Sequence, residues 1–166
     1  PFSGASTGMG SGSPIEPTGH AMTSGVGAGA WSLREDVPER SLDGKPLLQP
    51  LRLASGYSVA EQDVDPRGLP VMGGDGKQGG TVKDIWIDAA EMMFRYLEVD
   101  LKSGGTVLLP MTFSRIKSSG VFVGAVLAAQ FANVPKTKSM EQITLLEEEK
   151  ITAYYGAGTL YATPDR

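Results

Sequence analysis

Between residues 47 and 123 the chain alternates short β-prone runs with glycine- and proline-rich turns, and that rhythm leaves few folds open. Residues 49–54 read as the first strand. Asp63-Val64-Asp65-Pro66-Arg67-Gly68 is a turn, followed by Leu69-Pro70-Val71-Met72. Gly73-Gly74-Asp75-Gly76-Lys77-Gln78-Gly79-Gly80 is a second turn, leading to a strand over residues 81–87. The clearest strand is 95–101, where Leu97, Val99 and Leu101 alternate with Tyr96, Glu98 and Asp100. Period-two spacing predicts one face on a core and one in water. Lys102-Ser103-Gly104-Gly105 turns the chain into residues 106–111, where Val107, Leu109 and Met111 alternate again. A last pair, 113–117 and 121–123, meets at Ser118-Ser119-Gly120. Strands this short, joined by tight turns, predict a mainly β domain, a small antiparallel barrel or sandwich.

The two ends differ from this middle. Residues 143–155 have helical periodicity; Ser139 with Gln142 has the spacing of a capping box, and Gly156 and Gly158 supply a stop. One C-terminal helix is expected there, with Ile143, Leu146, Ile151 and Tyr154 on the barrel. Glu147-Glu148-Glu149-Lys150 then forms a solvated face, Glu147 and Lys150 being near neighbours. Residues 1–30 hold eight glycines and a single charged side chain, Glu16, so composition alone predicts a flexible linker. Pro14-Ile15-Glu16-Pro17-Thr18 and Trp31 offer the alternative, an extension laid along a partner surface. The expected organisation is an extended, irregular docking segment over 1–45, a β-barrel over 46–138, and a helix with its tail packed on the barrel over 139–166.

Composition removes whole classes of chemistry. The chain has 166 residues, enough to bury a core without staples, and no cysteine, which excludes disulfides, thiolate zinc sites and a cysteine nucleophile. Its net charge is −4, with no run of Lys and Arg, so nucleic acid is not an expected partner. The longest nearly apolar stretch, residues 120–129, falls well short of the ~20 residues that a spanning helix needs. Nothing at the N-terminus resembles a signal peptide, and the chain begins with Pro1 rather than Met, so upstream sequence is expected to be missing, cleaved or encoded elsewhere. Gly76-Lys77 is followed by Gln78 and a strand, not by Ser or Thr and a helix, which makes it a hairpin turn rather than a phosphate loop. The one histidine, His20, lies in the glycine-rich segment and reads as solvated. The zinc-ligand patterns that rely on histidine and cysteine cannot be assembled, and a serine–histidine triad would have to use His20 in the least rigid region.

What remains is acidic. Asp84 and Asp88 are four apart on one strand and should share a face; Glu91 sits in the following turn, with Arg95 close behind. Taken alone, this set is a solvated edge with a surface ion pair. The sharper alternative is a carboxylate cluster whose proton affinities are raised by mutual repulsion and partial burial, able to hold and pass protons.

Several segments together resemble the H subunits of purple-bacterial-type photosynthetic reaction centres. They are Asp63-Val64-Asp65-Pro66-Arg67-Gly68-Leu69-Pro70-Val71, Gly80-Thr81-Val82-Lys83-Asp84-Ile85-Trp86-Ile87-Asp88 and Arg95-Tyr96-Leu97-Glu98-Val99. Phe131-Ala132-Asn133-Val134-Pro135, Gln142-Ile143-Thr144-Leu145-Leu146-Glu147-Glu148-Glu149-Lys150-Ile151 and Ala153-Tyr154-Tyr155-Gly156-Ala157-Gly158-Thr159-Leu160-Tyr161-Ala162 continue the match, and residues 14–19 look like the family's extended stretch ahead of its barrel. The resemblance covers nearly the whole chain, with its motifs in order.

The resemblance implies a PRC-type β-barrel on the cytoplasmic face of the bacterial inner, intracytoplasmic photosynthetic membrane, with an extended N-terminal segment and one C-terminal helix. In the family a transmembrane helix precedes this region, and this chain does not contain it. The implied role is a non-catalytic subunit that binds no cofactor itself. Bacteriochlorophyll, bacteriopheophytin, quinone and non-haem iron are expected in partner subunits. The implied partners are the L and M subunits, which it caps and stabilises, together with light-harvesting antenna polypeptides; membrane association comes through the complex. It also implies part of a proton route to the secondary quinone. The family's buried glutamate on that route matches Glu91, the acid at the strand end matches Asp88 and the neighbouring arginine matches Arg95. Glu91 is expected to relay protons, Asp88 to tune or extend the path, and Arg95 to shift their affinities. One departure matters: some members carry surface histidines after an acidic Asp-Gly, whereas here Asp43-Gly44 runs into Lys45-Pro46-Leu47. Asp43 is kept as the outer acid, and the histidine site does not transfer. Two competing functions stand beside this one, a stand-alone PRC-barrel adaptor and an all-β hydrolase using the acidic set.

Overall fold

The computed structural model describes residues 34–54, 56–60 and 63–159, together with the backbone of residues 4–6, 15–17 and 160–161. His20 and Trp31 lie outside these residues. The two N-terminal strands, β1 (Gly4–Ser6) and β2 (Ile15–Pro17), pair antiparallel with each other.

Seven strands make the main sheet: β3 (Leu48–Pro50), β4 (Pro70–Met72), β5 (Gln78–Asp88), β6 (Met93–Leu101), β7 (Thr106–Pro110), β8 (Arg115–Lys117) and β9 (Gly120–Phe122). Their order is β7-β6-β5-β4-β9-β8, with β3 pairing on β5, so the sheet curls barrel-like without closing. All pairings are antiparallel except β4 with β9, where Val71 lies opposite Val121 in parallel. The first run is shorter than its sequence suggests: after Pro50 the chain enters a single 3-10 turn, Leu51–Leu53, instead of extending to Ala54. Conversely, β5 takes in the last glycines of the expected turn. A Cβ on Gly80 would come 2.3 Å from the Asp100 carbonyl oxygen, so only glycine lets β5 and β6 approach there. The β6–β7 turn likewise uses Gly104 and Gly105 at positive φ, a conformation costly for other residues.

The core is one contiguous cluster. Val71, Ile85, Leu97, Val99 and Leu109 contribute from the sheet, Phe131 from a 3-10 stretch over Ala128–Asn133, and Ile151, Tyr154 and Tyr155 from the helix. Burying each such side chain is worth about 1.5–3 kcal/mol relative to leaving it exposed. The face of β6 expected to be wet is exposed at Asp100 only: Tyr96 and Glu98 are buried as deeply as Leu97. Helix α1 (Leu145–Tyr161) lies against it, and the Tyr155 hydroxyl donates to the Leu108 carbonyl on β7.

That helix differs from its expected form at both ends. Its cap is Thr144 with Glu147, not Ser139 with Gln142. The Glu147 amide donates to Thr144 Oγ1, and the Thr144 amide donates to Glu147 Oε1. The next amides, of Leu145 and Leu146, donate to the carbonyls of Val37 and Glu35 in the segment before the barrel. These bonds satisfy donors that a helix N-terminus otherwise leaves open. At the other end the helix runs through Gly156 and Gly158 to Tyr161, because Ala157 and Gly158 are packed into the core. Burial there outweighs about 1 kcal/mol of glycine propensity per residue. No helix among the described residues is long and apolar enough to cross a membrane.

Candidate functional site

Asp88 ends β5, and the chain reverses through residues 89–92 into β6. One carboxylate oxygen of Asp88 accepts from the amides of Ala90 and Glu91 at 2.9 and 3.1 Å, which folds the turn back on its own strand. The other accepts from Arg95 Nη1 at 2.9 Å. Arg95 can reach because β6 carries a bulge there. The register passes from Trp86 opposite Tyr96 to Ile87 opposite Phe94, leaving Arg95 as the extra residue. The turn is closed by Met92 at φ 54, the one described non-glycine residue in the left-handed region. Glu91 is thereby turned outward: its side chain is exposed and makes no hydrogen bond or ion pair with any described residue. Beside the turn lies a cleft of about 260 Å³, lined by Tyr57, Ile87, Asp88, Met93 and Phe94 among others. Its rim is apolar, with Met92 69% and Met93 50% exposed.

Behind Arg95 is a residue absent from the sequence-predicted site. Glu148 projects from α1, and its Oε1 accepts from the Tyr96 hydroxyl at 2.8 Å and lies 3.8 Å from Arg95 Nη2. The glutamate run is therefore not a solvated face. Glu147 caps the helix, Glu148 is 14% exposed, and Glu149 reaches Arg34. Burial raises the proton affinity of Glu148, opposed by the Tyr96 hydrogen bond and by Arg95, and reinforced by the charges of Glu39 and Asp88. Burial, and then the Glu148 charge, raises the affinity of the Tyr96 phenol. No sequence signal marks Glu148 out from its neighbours; the capping-box spacing Thr144-x-x-Glu147 locates the first turn, and the partner tyrosine is visible only in three dimensions.

Asp43, the expected outer acid, sits in the turn 41–45, exposed and held by the Ser41 hydroxyl, with Lys45 Nζ 3.9 Å away. The Ser41 hydrogen bond lowers its proton affinity. The turn is tied to the β5 terminus: the Leu47 amide donates to the Glu39 carbonyl and the Ala89 amide donates to the Leu47 carbonyl. So Asp88, Glu91 and Arg95 meet at the β5–β6 turn, while the Asp43 turn is joined to that end of β5 only through residues 39 and 47.

Asp84 does not join them. The Arg52 guanidinium donates to Asp84 Oδ2 and to both Glu98 oxygens, each at 3.0 Å, and to the Met140 carbonyl at 2.6 Å. Trp86 Nε1 donates to the same Glu98 at 3.0 Å, and Lys83 stands 3.9 Å away. The acidic set is thus split between two guanidinium groups, Arg52 for Asp84 and Arg95 for Asp88.

Arg52 also joins two regions that carry separate likenesses to known proteins. A model of the photosynthetic reaction centre H-chain N-terminal region matches residues 3–53, and a model of the PRC-barrel domain matches residues 59–126. Together the two matches make this an H-subunit-like protein. In this H-subunit-like chain, the Arg52 side chain comes from the first matched region and its partners Asp84 and Glu98 from the second. Glu148 lies outside both.

Proposed function

We propose that this chain caps the cytoplasmic side of a reaction-centre core made of L and M subunits, and that its Asp43, Asp88, Glu91 and Arg95 carry protons toward the secondary quinone. The observation that carries the reading is the pair of family matches, an H-chain N-terminal region running into a PRC barrel. The second support is chemical. A carboxyl that serves a reducible quinone must gain and lose a proton cheaply and must face the partner that holds the quinone. Glu91 is exposed at the tip of a turn whose geometry Asp88 and Arg95 dictate, on an apolar rim of Met92 and Met93. Exposed methionines are the adaptable surface that a protein–protein contact uses. Docking the core there would bury Glu91 beside the quinone side, giving it the environment that the family resemblance implies. Arg95 supplies the fixed positive charge that biases the turn's carboxylates.

Electron carriers and antenna pigments belong, on this reading, to the partners, and the chain itself makes and breaks no covalent bond other than to protons. The deciding experiment is Glu91→Gln in the assembled complex, followed by flash kinetics. Proton-coupled reduction of the secondary quinone should slow while initial charge separation is unchanged; equal rates remove Glu91 from the route. Co-purification with a bacteriochlorophyll-containing membrane complex separates this function from a stand-alone barrel adaptor, which the H-chain N-terminal match already disfavours.

A further inference from the structure

We infer that Glu148, on the C-terminal helix, is a proton-holding residue of this same site, loaded and unloaded against the Tyr96 hydroxyl and sensed by the Asp88 turn through Arg95. The inference rests on the proposed proton role but adds a residue, and an element, that the H-chain resemblance did not assign. Three observations carry it. Asp88 has a full set of donors, two turn amides and Arg95 Nη1 at 2.9 Å, whereas Glu148 has one hydroxyl at 2.8 Å and a guanidinium nitrogen 3.8 Å away. The two carboxylates thus share one arginine unequally. Helix docking then leaves Glu148 only 14% exposed against β6, where it faces the neutral Tyr96 phenol and the charge of Arg95 from β6, with the charges of Asp88 from β5 and Glu39 from the segment ahead of the barrel also acting on it. On its own helix Glu147 is turned to the amides of Lys138 and Thr144, and Glu149 to Arg34, so each has its own partners.

The consequence follows from charge alone. Two carboxylates meet one guanidinium in a partly buried setting, and the less well answered of them takes the proton. When Glu148 is protonated, Arg95 is held by Asp88 alone. When Glu148 gives its proton to water or a neighbouring acid, its anion draws on the Tyr96 hydroxyl and competes for Arg95, so the Asp88 side of the turn feels the change. Burial also raises the Glu148 proton affinity, in keeping with this geometry.

The test uses the purified chain of residues 1–166 and infrared spectroscopy of carboxylic-acid stretching bands across pH. The parent should show one protonated carboxyl that persists above the ordinary glutamate range and is absent from Glu148→Gln, whose amide still accepts from Tyr96 and keeps the fold. Tyr96→Phe removes a donor that favours the anion, so the band's midpoint should rise by about one pH unit. A band that survives Glu148→Gln, or a midpoint that Tyr96→Phe leaves in place, overturns the inference. Circular dichroism melting of each variant establishes that it is folded at every pH read. Failure here leaves the Glu91→Gln result in the complex untouched, and failure of that experiment leaves this titration standing, so the two readings fail separately.

Discussion

Two arginines, Arg52 and Arg95, each collect carboxylates from β5 and from an element far away in sequence, and they do opposite things with them. Around Arg52 every group is answered. Glu98, 0% exposed, receives two guanidinium contacts and the Trp86 indole, and Arg52 gives its second terminal nitrogen, Nη2, to the Met140 carbonyl. That network stitches the turn after β3, the middle of the sheet and the segment before α1 into one body. Around Arg95 the bonding is incomplete by comparison: Glu148 lies just beyond hydrogen-bond reach of the guanidinium, and Glu91 is left out altogether. A satisfied polar network rigidifies, whereas a partly buried carboxylate with fewer donors is where proton affinity shifts, and such groups cluster at functional sites. The difference separates the structural half of this molecule from the half proposed to work.

The contrast can be broken most sharply at Arg52. Arg52→Met keeps the apolar stem but strands Glu98, and should cost about 3 kcal/mol in a urea unfolding series. A loss below about 1 kcal/mol would mean that the network is not what joins the two matched regions. Next comes Tyr155→Phe, which removes the hydroxyl bonded to Leu108 across the same buried face. We expect about 1–2 kcal/mol of destabilisation by the same measurement.

At the Arg95 end the expected effects on stability are smaller and carry a sign. Burial lifts the Glu148 affinity above the ordinary value of 4.5, so the native state holds a proton that the unfolded chain has released between those two pH values. Stability contributed by this group is therefore complete below 4.5 and is lost as pH rises through the raised native value. Comparing the urea midpoint against pH for the parent and Glu148→Gln should show this decline in the parent only. Asp65 works the other way: its affinity is lowered by Arg67, so its contribution is present above 3.8 and is lost on further acidification. Met92→Gly relieves a left-handed methionine and should stabilise the free chain by about 1 kcal/mol while weakening its association with a reaction-centre core, measured by co-sedimentation. The smallest change in stability belongs to Glu91→Gln, within about 0.5 kcal/mol, because no described residue bonds the side chain. A larger shift would place Glu91 in the structural half.

The strands were legible because period-two spacing and glycine turns are local properties; β5, β6 and β7 fall where Ile85, Leu97, Val99 and Leu109 alternate or cluster. Asp88 and Arg95 were legible for the same reason, being seven positions apart across one tight turn. Local spacing failed where another element covered the residue. Tyr96 and Glu98 carry the pattern of a wet face, yet α1 and the Arg52 network enclose it. Likewise the Glu147-Glu148-Glu149 run looks solvated until the helix docks.

By itself, then, the sequence determined the succession of strands, the turns between them and the likeness to reaction-centre H chains, because each depends on neighbours along the chain or on motif order. Only the tertiary structure decided that Asp84 and Asp88 answer to different arginines, and that Glu148 faces Tyr96. The physical reason is separation: Arg52 and Glu98 are 46 positions apart and Tyr96 and Glu148 are 52 apart. Burial and charge act through space, and no repeat along the chain records which distant side chains folding will bring into the same low-dielectric pocket.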